Sequence, residues 1–273
     1  MQTILAISVL FLLGLLGVQL IVARQFRGRI LGLVARLHDS PIVSAPQGSL
    51  PTMVADFARR SGAEANEKIR LASLHQSGEL RLKPGGRFAR FSAWQVTALG
   101  RAGFVWDARQ GGGPLVGLHV VDSYIGTKGL LEARLFGSIP VAQKSGPDID
   151  LAEAFRYLAE LPWAPDAILG NPDLEWRVTG PSSAEVRLPT KAGTARVTFS
   201  FDAAGDIVGM HAIDRPASDP SGQPTQYDWQ GRYWDYAEVG DRRIPRQGEV
   251  GYVYPSGYEP YFRVQILDYH LAS

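Results

Sequence analysis

The sequence predicts a mainly β protein of the α+β class: an N-terminal transmembrane helix, then a curved antiparallel sheet, an open half-barrel, packed on one or two helices. Three observations carry that expectation. Residues 4–23, "ILAISVLFLLGLLGVQLIVA", hold no charge, and Gln19 is their one strongly polar residue. Beyond residue 62, ten or so short segments alternate apolar and polar residues between glycine-rich joints, in the local succession that favours antiparallel pairing. Helical spacing in the rest of the domain is confined to residues 50–61 and 150–161.

Taken in order, residues 1–23 read as a membrane anchor, because about twenty helical residues rise roughly 30 Å and span a bilayer core. The alternative is a cleaved signal peptide, but no basic n-region precedes the run and the run is long for an h-region. Arg24, Arg27, Arg29 and Arg36 follow the span before the first acid, Asp39. That bias places the soluble domain on the cytoplasmic side, with a periplasmic or extracellular side as the alternative. Residues 24–37 form a basic amphipathic juxtamembrane helix, with Phe26, Ile30, Leu33, Val34 and Leu37 on one face. This face suits a helix lying along headgroups, with Arg24, Arg27 and Arg29 toward anionic lipid, or one continuing into water. Residues 38–48 read as a linker, and 49–273 as a single β-rich domain.

The domain opens with a helix that Ser49 can cap, Pro51 can start and Gly62 can stop. In "EKIRLASLHQSGELRLK" the alternation predicts strands, with a turn at Ser77-Gly78. The second helix, 150–161, has Asp150 as N-cap with Glu153 three residues on, and Leu151, Phe155 and Leu158 to bury. Pro162 ends it. Strands then resume to residue 271, with hairpin turns at "FDAAGD" and "YPSGYE" and one long polar loop at 215–226.

Several function classes are excluded. A net charge of +1 offers no basic field for nucleic acid, and the absence of cysteine removes disulfides and thiolate chemistry. There is no Gly-x-Ser-x-Gly elbow, phosphate loop or dinucleotide fingerprint, and the five histidines form no metal-binding pair, so no cofactor or metal is expected. Glu160 stands four residues after Arg156, the spacing of a helix ion pair. As an acid it would need burial against Trp163 and a second carboxylate, for which Asp122, following two valines and able to point inward, is the candidate, although hydrogen bonding at a strand-end turn is the commoner role of such an Asp. Aromatic side chains with polar tips gather late in the chain, so Trp163, Trp229, Arg232, Tyr233, Trp234 and Tyr236 are the candidate ligand-binding residues. The same residue types are also good strand formers.

"LPTMVADFARRSG", "FVWDAR", "VVDSYIGTKGLLEARLFG", "FRYLAELPWAPDAIL", "FDAAGDIVG" and "WQGRYWDYAEVGDRRIPRQGEVGYVYPSGYEPYFRVQI" resemble, in that order, an uncharacterised bacterial family of membrane-anchored β-rich proteins. The likeness spans residues 49–271 and implies the same architecture, without a reaction to carry over. The chain departs from the family at Pro165-Asp166, where Pro-Thr or Pro-Ser is expected, and in lacking a proline before Trp229. The arrangement also looks like the open barrels of lipoprotein carriers, an analogy of fold alone. The expected function is a membrane-anchored module holding a lipid or other hydrophobic ligand, without catalysis. The alternatives are a hydrolase using Glu160 and Asp122 as acid and base, with Tyr233 or Arg232 orienting substrate, and an envelope scaffold. Carboxylates converging in a cleft would favour hydrolysis, and a flat apolar patch the scaffold.

Overall fold

The structure is a computed structural model and describes residues 2–39, 50–64, 68–113, 116–219 and 221–273. Its helices are α1 (Gln2–His38), α2 (Thr52–Arg60), α3 (Pro147–Ala159) and α4 (Pro165–Gly170), with one 3-10 turn at Leu161–Trp163. Six strands precede α3: β1 (Leu71–Leu80), β2 (Ala89–Ala98), β3 (Phe104–Gly113), β4 (Val116–Ile125), β5 (Lys128–Leu135) and β6 (Ile139–Lys144). Seven follow α4: β7 (Glu175–Gly180), β8 (Ser183–Thr190), β9 (Gly193–Phe201), β10 (Ile207–Ser218), β11 (Pro224–Val239), β12 (Arg242–Tyr254) and β13 (Gly257–Ala272).

All thirteen strands form one antiparallel sheet, in the order β6-β5-β4-β3-β2-β1-β13-β12-β11-β10-β9-β8-β7. Two meanders therefore meet where the first strand pairs with the last, Leu71 opposite Ala272. The segment from α3 to α4 links the two outer edges, so it has to cross the face of the sheet. There α3 packs on β4 and β5 from one meander and on β8, β9 and β10 from the other. Phe155, Tyr157 and Leu158 carry its apolar side, with Leu161 of the following 3-10 turn, into a core with Phe104, Tyr124, Val186, Val197 and Phe199. Each buried side chain of that size contributes about 1.5–3 kcal/mol, which is what holds a sheet this wide around one helix.

Strand periodicity decides which side chains reach that face. Along β11, Trp229, Gly231 and Tyr233 are buried while Gln230, Arg232 and Trp234 are exposed. At Asp235 the backbone takes φ +62°, and beyond it, in unchanged register with β12, Tyr236 packs inward on Phe57.

Several expectations are corrected. Ser77-Gly78 is no turn, since β1 runs straight through it. Gly78 is there because a Cβ would press into the carbonyl oxygen of Arg263 and lie 2.7 Å from Phe91 Cζ. Gly78→Ala is accordingly expected to cost on the order of 1–3 kcal/mol, as overpacking does, and a Tm unchanged by this substitution would refute the close approach. The polar loop at 215–226 is mostly hairpin: β10 and β11 stay paired out to Ser218 opposite Pro224. Helix α3 starts at Pro147 behind Gly146, so Asp150 is not its N-cap. Instead Asp150 accepts hydrogen bonds from Lys128 Nζ and from the Gly129 backbone N–H, both at 2.8 Å. Ser49 and most of the linker lie outside the described residues.

The basic amphipathic segment is also differently placed. α1 is one continuous helix whose first part is long and apolar enough to cross a membrane and is not buried by the rest of the protein. Beyond Ala23, however, its apolar face lies on the sheet rather than along headgroups. Phe26, Ile30 and Leu37 are buried with Val96, Val105, Val121 and Ile125 on the convex side of β2–β4. Arg29 bonds Glu132 at 2.8 Å and Arg134 lies over the Phe26 ring. A covalently adjacent apolar strand face is a better partner for these side chains than the half-wet headgroup region.

Candidate functional site

Between α3 and the concave face lies a cavity of about 770 Å³. Its walls are mostly apolar: Leu80, Phe91, Ala108, Leu118, Val120 and Phe262 on one side, with Met210, Trp229, Tyr233, Val250 and Tyr261 on the other. The pleat of the strands places these side chains on one face of eight consecutive strands, from β4 to β10, and the crossing helix roofs them.

Buried charge stands among these walls. Arg156, on α3, donates through Nε to Glu160 Oε1 at 2.8 Å and through Nη1 to Asp122 Oδ2 on β4. Its guanidinium carbon lies 4.7 Å from the Phe104 ring centroid and 4.9 Å from that of Trp106. Gln95 donates to Glu160 Oε2 at 2.5 Å, so both oxygens of that carboxylate are engaged. One helical turn away Glu153 is buried against the same cluster. Opposite it on β10, Arg215 stacks over Trp229 at 4.4 Å, donates to the Tyr252 hydroxyl, and donates to the Ala152 carbonyl oxygen at 3.2 Å. Among the described residues four buried atoms of this cluster have no hydrogen-bond partner: Gln95 Oε1, Asp122 Oδ1, Glu153 Oε2 and Arg215 Nε.

Burial pushes the Glu153 carboxyl well above the usual range and Asp122 pushes it the same way, against the pull of Arg156 and Arg215. Asp122 is raised as well, again by burial, with Arg156 opposing. For Arg156 burial alone would lower the value, but Glu160 and Asp122 more than offset it and keep the guanidinium charged. With Glu153 protonated, two cations face two carboxylates and the cluster is neutral.

A carboxyl with a raised folded-state pKa gives stability that is full below its unfolded pKa, about 4.3, and is lost as pH rises through the folded value. The Tm of the full chain is therefore expected to fall as pH rises above the ordinary carboxylate range, and Glu153→Gln to remove part of that fall. Each kcal/mol is worth about 2–4 °C in a domain of this size. Identical pH slopes for the two proteins would show that Glu153 is not held neutral.

The residues singled out in the sequence divide. Asp122, Glu160, Trp163, Trp229 and Tyr233 all line the cavity. Trp163 donates to the Pro245 carbonyl oxygen at 2.7 Å, and Tyr233 to that of Ala159 at 2.5 Å, so each seals the wall. Arg232 and Trp234 point to the opposite, exposed side of β11. Tyr236 packs on Phe57 of α2 and donates to the Ile207 carbonyl oxygen, away from the cavity. Glu153, Arg215 and Gln95 were missed. Asp166, the departure from the family pattern, makes a two-pronged ion pair with Arg242 at 2.7 and 2.9 Å, tying α4 to β12. Among the described residues no group of three or more His, Asp or Glu side chains is placed to hold a metal ion.

Fold and site together define a class: a single antiparallel sheet curved around one crossing helix, with a mainly apolar chamber between them and buried charge in its wall. The model of DUF6544, a family of unknown function, matches residues 42–264, and the chain belongs to that family. This agrees with the resemblance read from the ordered motifs. No curated protein matches the chain. Among solved structures the fold is similar to a LolA superfamily protein from Nitrosomonas europaea, at 9% identity and TM-score 0.43, covering 83% of this chain and 95% of that one. It is similar also to a putative outer membrane lipoprotein-sorting protein domain from Vibrio parahaemolyticus, at 9% and 0.44, covering 80% and 90%. A third is a DUF1329 family protein from Desulfovibrio piger, at 9% and 0.40, covering 82% and 94%.

Proposed function

We propose that this protein is a membrane-anchored binding module whose cavity holds a lipid or other amphiphile, apolar in its body and polar at one end. The observation that carries the reading is the cavity itself. Its volume of about 770 Å³ falls within the roughly 300–1,000 Å³ of small-molecule sites, and its walls have the apolar and aromatic character of such sites. The unpartnered oxygens of Asp122 and Glu153 and the Arg215 Nε support a polar group on the ligand. The uncovered apolar run of α1 supports retention at the membrane. The test is native mass spectrometry and lipid extraction on the full chain in mild detergent, after incubation with mixed phospholipid vesicles. A stoichiometric amphiphile is expected, and a chain that stays empty overturns the reading.

Hydrolysis is the second reading, favoured by the convergence of Asp122, Glu153 and Glu160 on one wall, with Glu153 as the neutral acid. It ranks below binding because Arg156 engages both Asp122 and Glu160, and among the described residues no histidine lines the cavity. Ester cleavage by the wild type that Glu153→Gln abolishes would promote it.

A further inference from the structure

In an antiparallel meander the joints alternate between the two ends of the sheet. The β1–β2, β3–β4, β5–β6, β10–β11 and β12–β13 joints share one end, while residues 99–103, 126–127, 202–206 and 240–241 lie at the other. The cavity runs along this axis. Leu82, Gln110, Leu118, Ser218 and Pro224 line it at the first end. Deeper in, Trp106 stands opposite Asp122, next to the Arg156 cluster, and below them Phe104, Tyr124 and Tyr157 close the core. The mouth is therefore at the first end and the charged cluster toward the floor.

Helix α1 follows the same axis on the convex side, and its direction is given by its contacts. The Phe26 ring meets His119, near the β3–β4 joint, at 4.9 Å. Ala23 Cβ lies 3.5 Å from where a Cβ on Gly137, in the β5–β6 joint, would stand. At the other end Leu37 presses on Gly103, and His38 Nε2 is 3.2 Å from the Ser273 carbonyl oxygen. Residues before Ala23, the apolar run, consequently project past the mouth end of the domain.

That end is built for lipid. Leu82 is 74% exposed, Ile139 52% and Val141 59%, and Lys83 and Arg87 are exposed in the same β1–β2 joint as Leu82. Apolar tips flanked by cations suit an anionic bilayer surface. The acids nearby are engaged: Glu259 pairs with Arg81 at 2.9 Å, and Asp219 accepts from Ser221 and Gln223 within its own turn.

We propose that the cavity mouth faces the bilayer that α1 enters, with Leu82, Ile139 and Val141 resting in its surface, so that the ligand is an amphiphile exchanged directly with that bilayer. The proposal rests on the binding reading above, and it holds on either side of the membrane. The ligand's polar group goes deepest, toward Glu153 and Asp122, and its chain points back to the lipid it came from.

The chain has no cysteine, so single cysteines carry a label cleanly. Full-length Leu82→Cys, Ile139→Cys and Ala203→Cys proteins, each bearing an environment-sensitive fluorophore, are reconstituted into phosphatidylcholine–phosphatidylglycerol vesicles with acyl-chain-brominated lipid. Loss of emission is expected at positions 82 and 139 and not at 203, which lies at the far end. Loss at 203 alone, or at none of the three, overturns the orientation. Ile139→Asp combined with Val141→Asp, at two exposed positions that do not line the cavity, is the second measurement: uptake of a fluorescent phospholipid from vesicles is expected to fall at least tenfold, while the same lipid supplied in detergent micelles still binds. Uptake from vesicles at the wild-type rate overturns the membrane-facing mouth. A wild type that binds this lipid from neither source sinks the binding reading instead, whatever the quenching shows.

Discussion

Arg156→Ala is expected to lower stability by about 3–5 kcal/mol, because removing one partner of a buried ion pair leaves the opposite charge uncompensated. Here the loss is doubled in kind, since one guanidinium serves two carboxylates from different elements, Glu160 at the end of α3 and Asp122 on β4. Glu160 would keep its bond from Gln95, while Asp122, already lacking a partner for Oδ1, would keep none. In a domain of this size the loss corresponds to a Tm lower by on the order of 10 °C, followed by tryptophan fluorescence. The cause is separable from lost packing over Phe104 and Trp106. Adding Asp122→Asn should restore part of the stability in the Arg156→Ala background, although it is expected to destabilise the wild type. If the two changes simply add, Arg156 acts through its contacts with the rings and not through its charge.

How much of this was legible follows the range of each interaction. The Arg156–Glu160 pair is a four-residue spacing on one helix, readable without a fold. The inward direction of Asp122 is equally local, the parity it shares with Val120 two residues before it on a strand. Gln95 reaches Glu160 across 65 positions, and nothing in "SAWQVTA" announces it. Glu153 was masked by a local role that fitted it, the partner of an N-cap at Asp150. The helix starts three residues earlier, and that frees Glu153 to turn into the cavity. Arg215 was hidden in a polar, proline-rich run read as a loop, when long hairpin pairing carries it over the chamber. The aromatic candidates fail differently. Trp229 and Tyr233 share one face of β11 and Arg232 and Trp234 the other, so parity alone would have separated them. Only Tyr236 needed the structure, because the left-handed backbone at Asp235 breaks the alternation just before it. The docking of α1 was not readable: its amphipathic face shows that some apolar surface covers it, and a bilayer and a sheet satisfy the same pattern.

Ala108→Trp is expected to reduce bound ligand at least tenfold while leaving the fold intact, and this substitution separates the readings of the cavity most sharply. Ala108 is a buried residue on β3 whose Cβ faces the chamber between Trp106 and Gln110, so a larger side chain grows into open volume. Overpacking a filled core costs about 1–3 kcal/mol, and growth into a cavity should cost less. Leu267→Trp, on an exposed convex position of β13, is the control and should bind as the wild type does. A scaffold acting through its outer surface would respond to Leu267→Trp or to neither change. A hydrolase would lose turnover with Ala108→Trp too, but Glu153→Gln would then abolish turnover while leaving the ligand bound. The binding reading requires that occupancy follow free volume. If Ala108→Trp folds, keeps its Tm within a few degrees and still carries a full complement of amphiphile, the ligand is held elsewhere and the chamber is not its site.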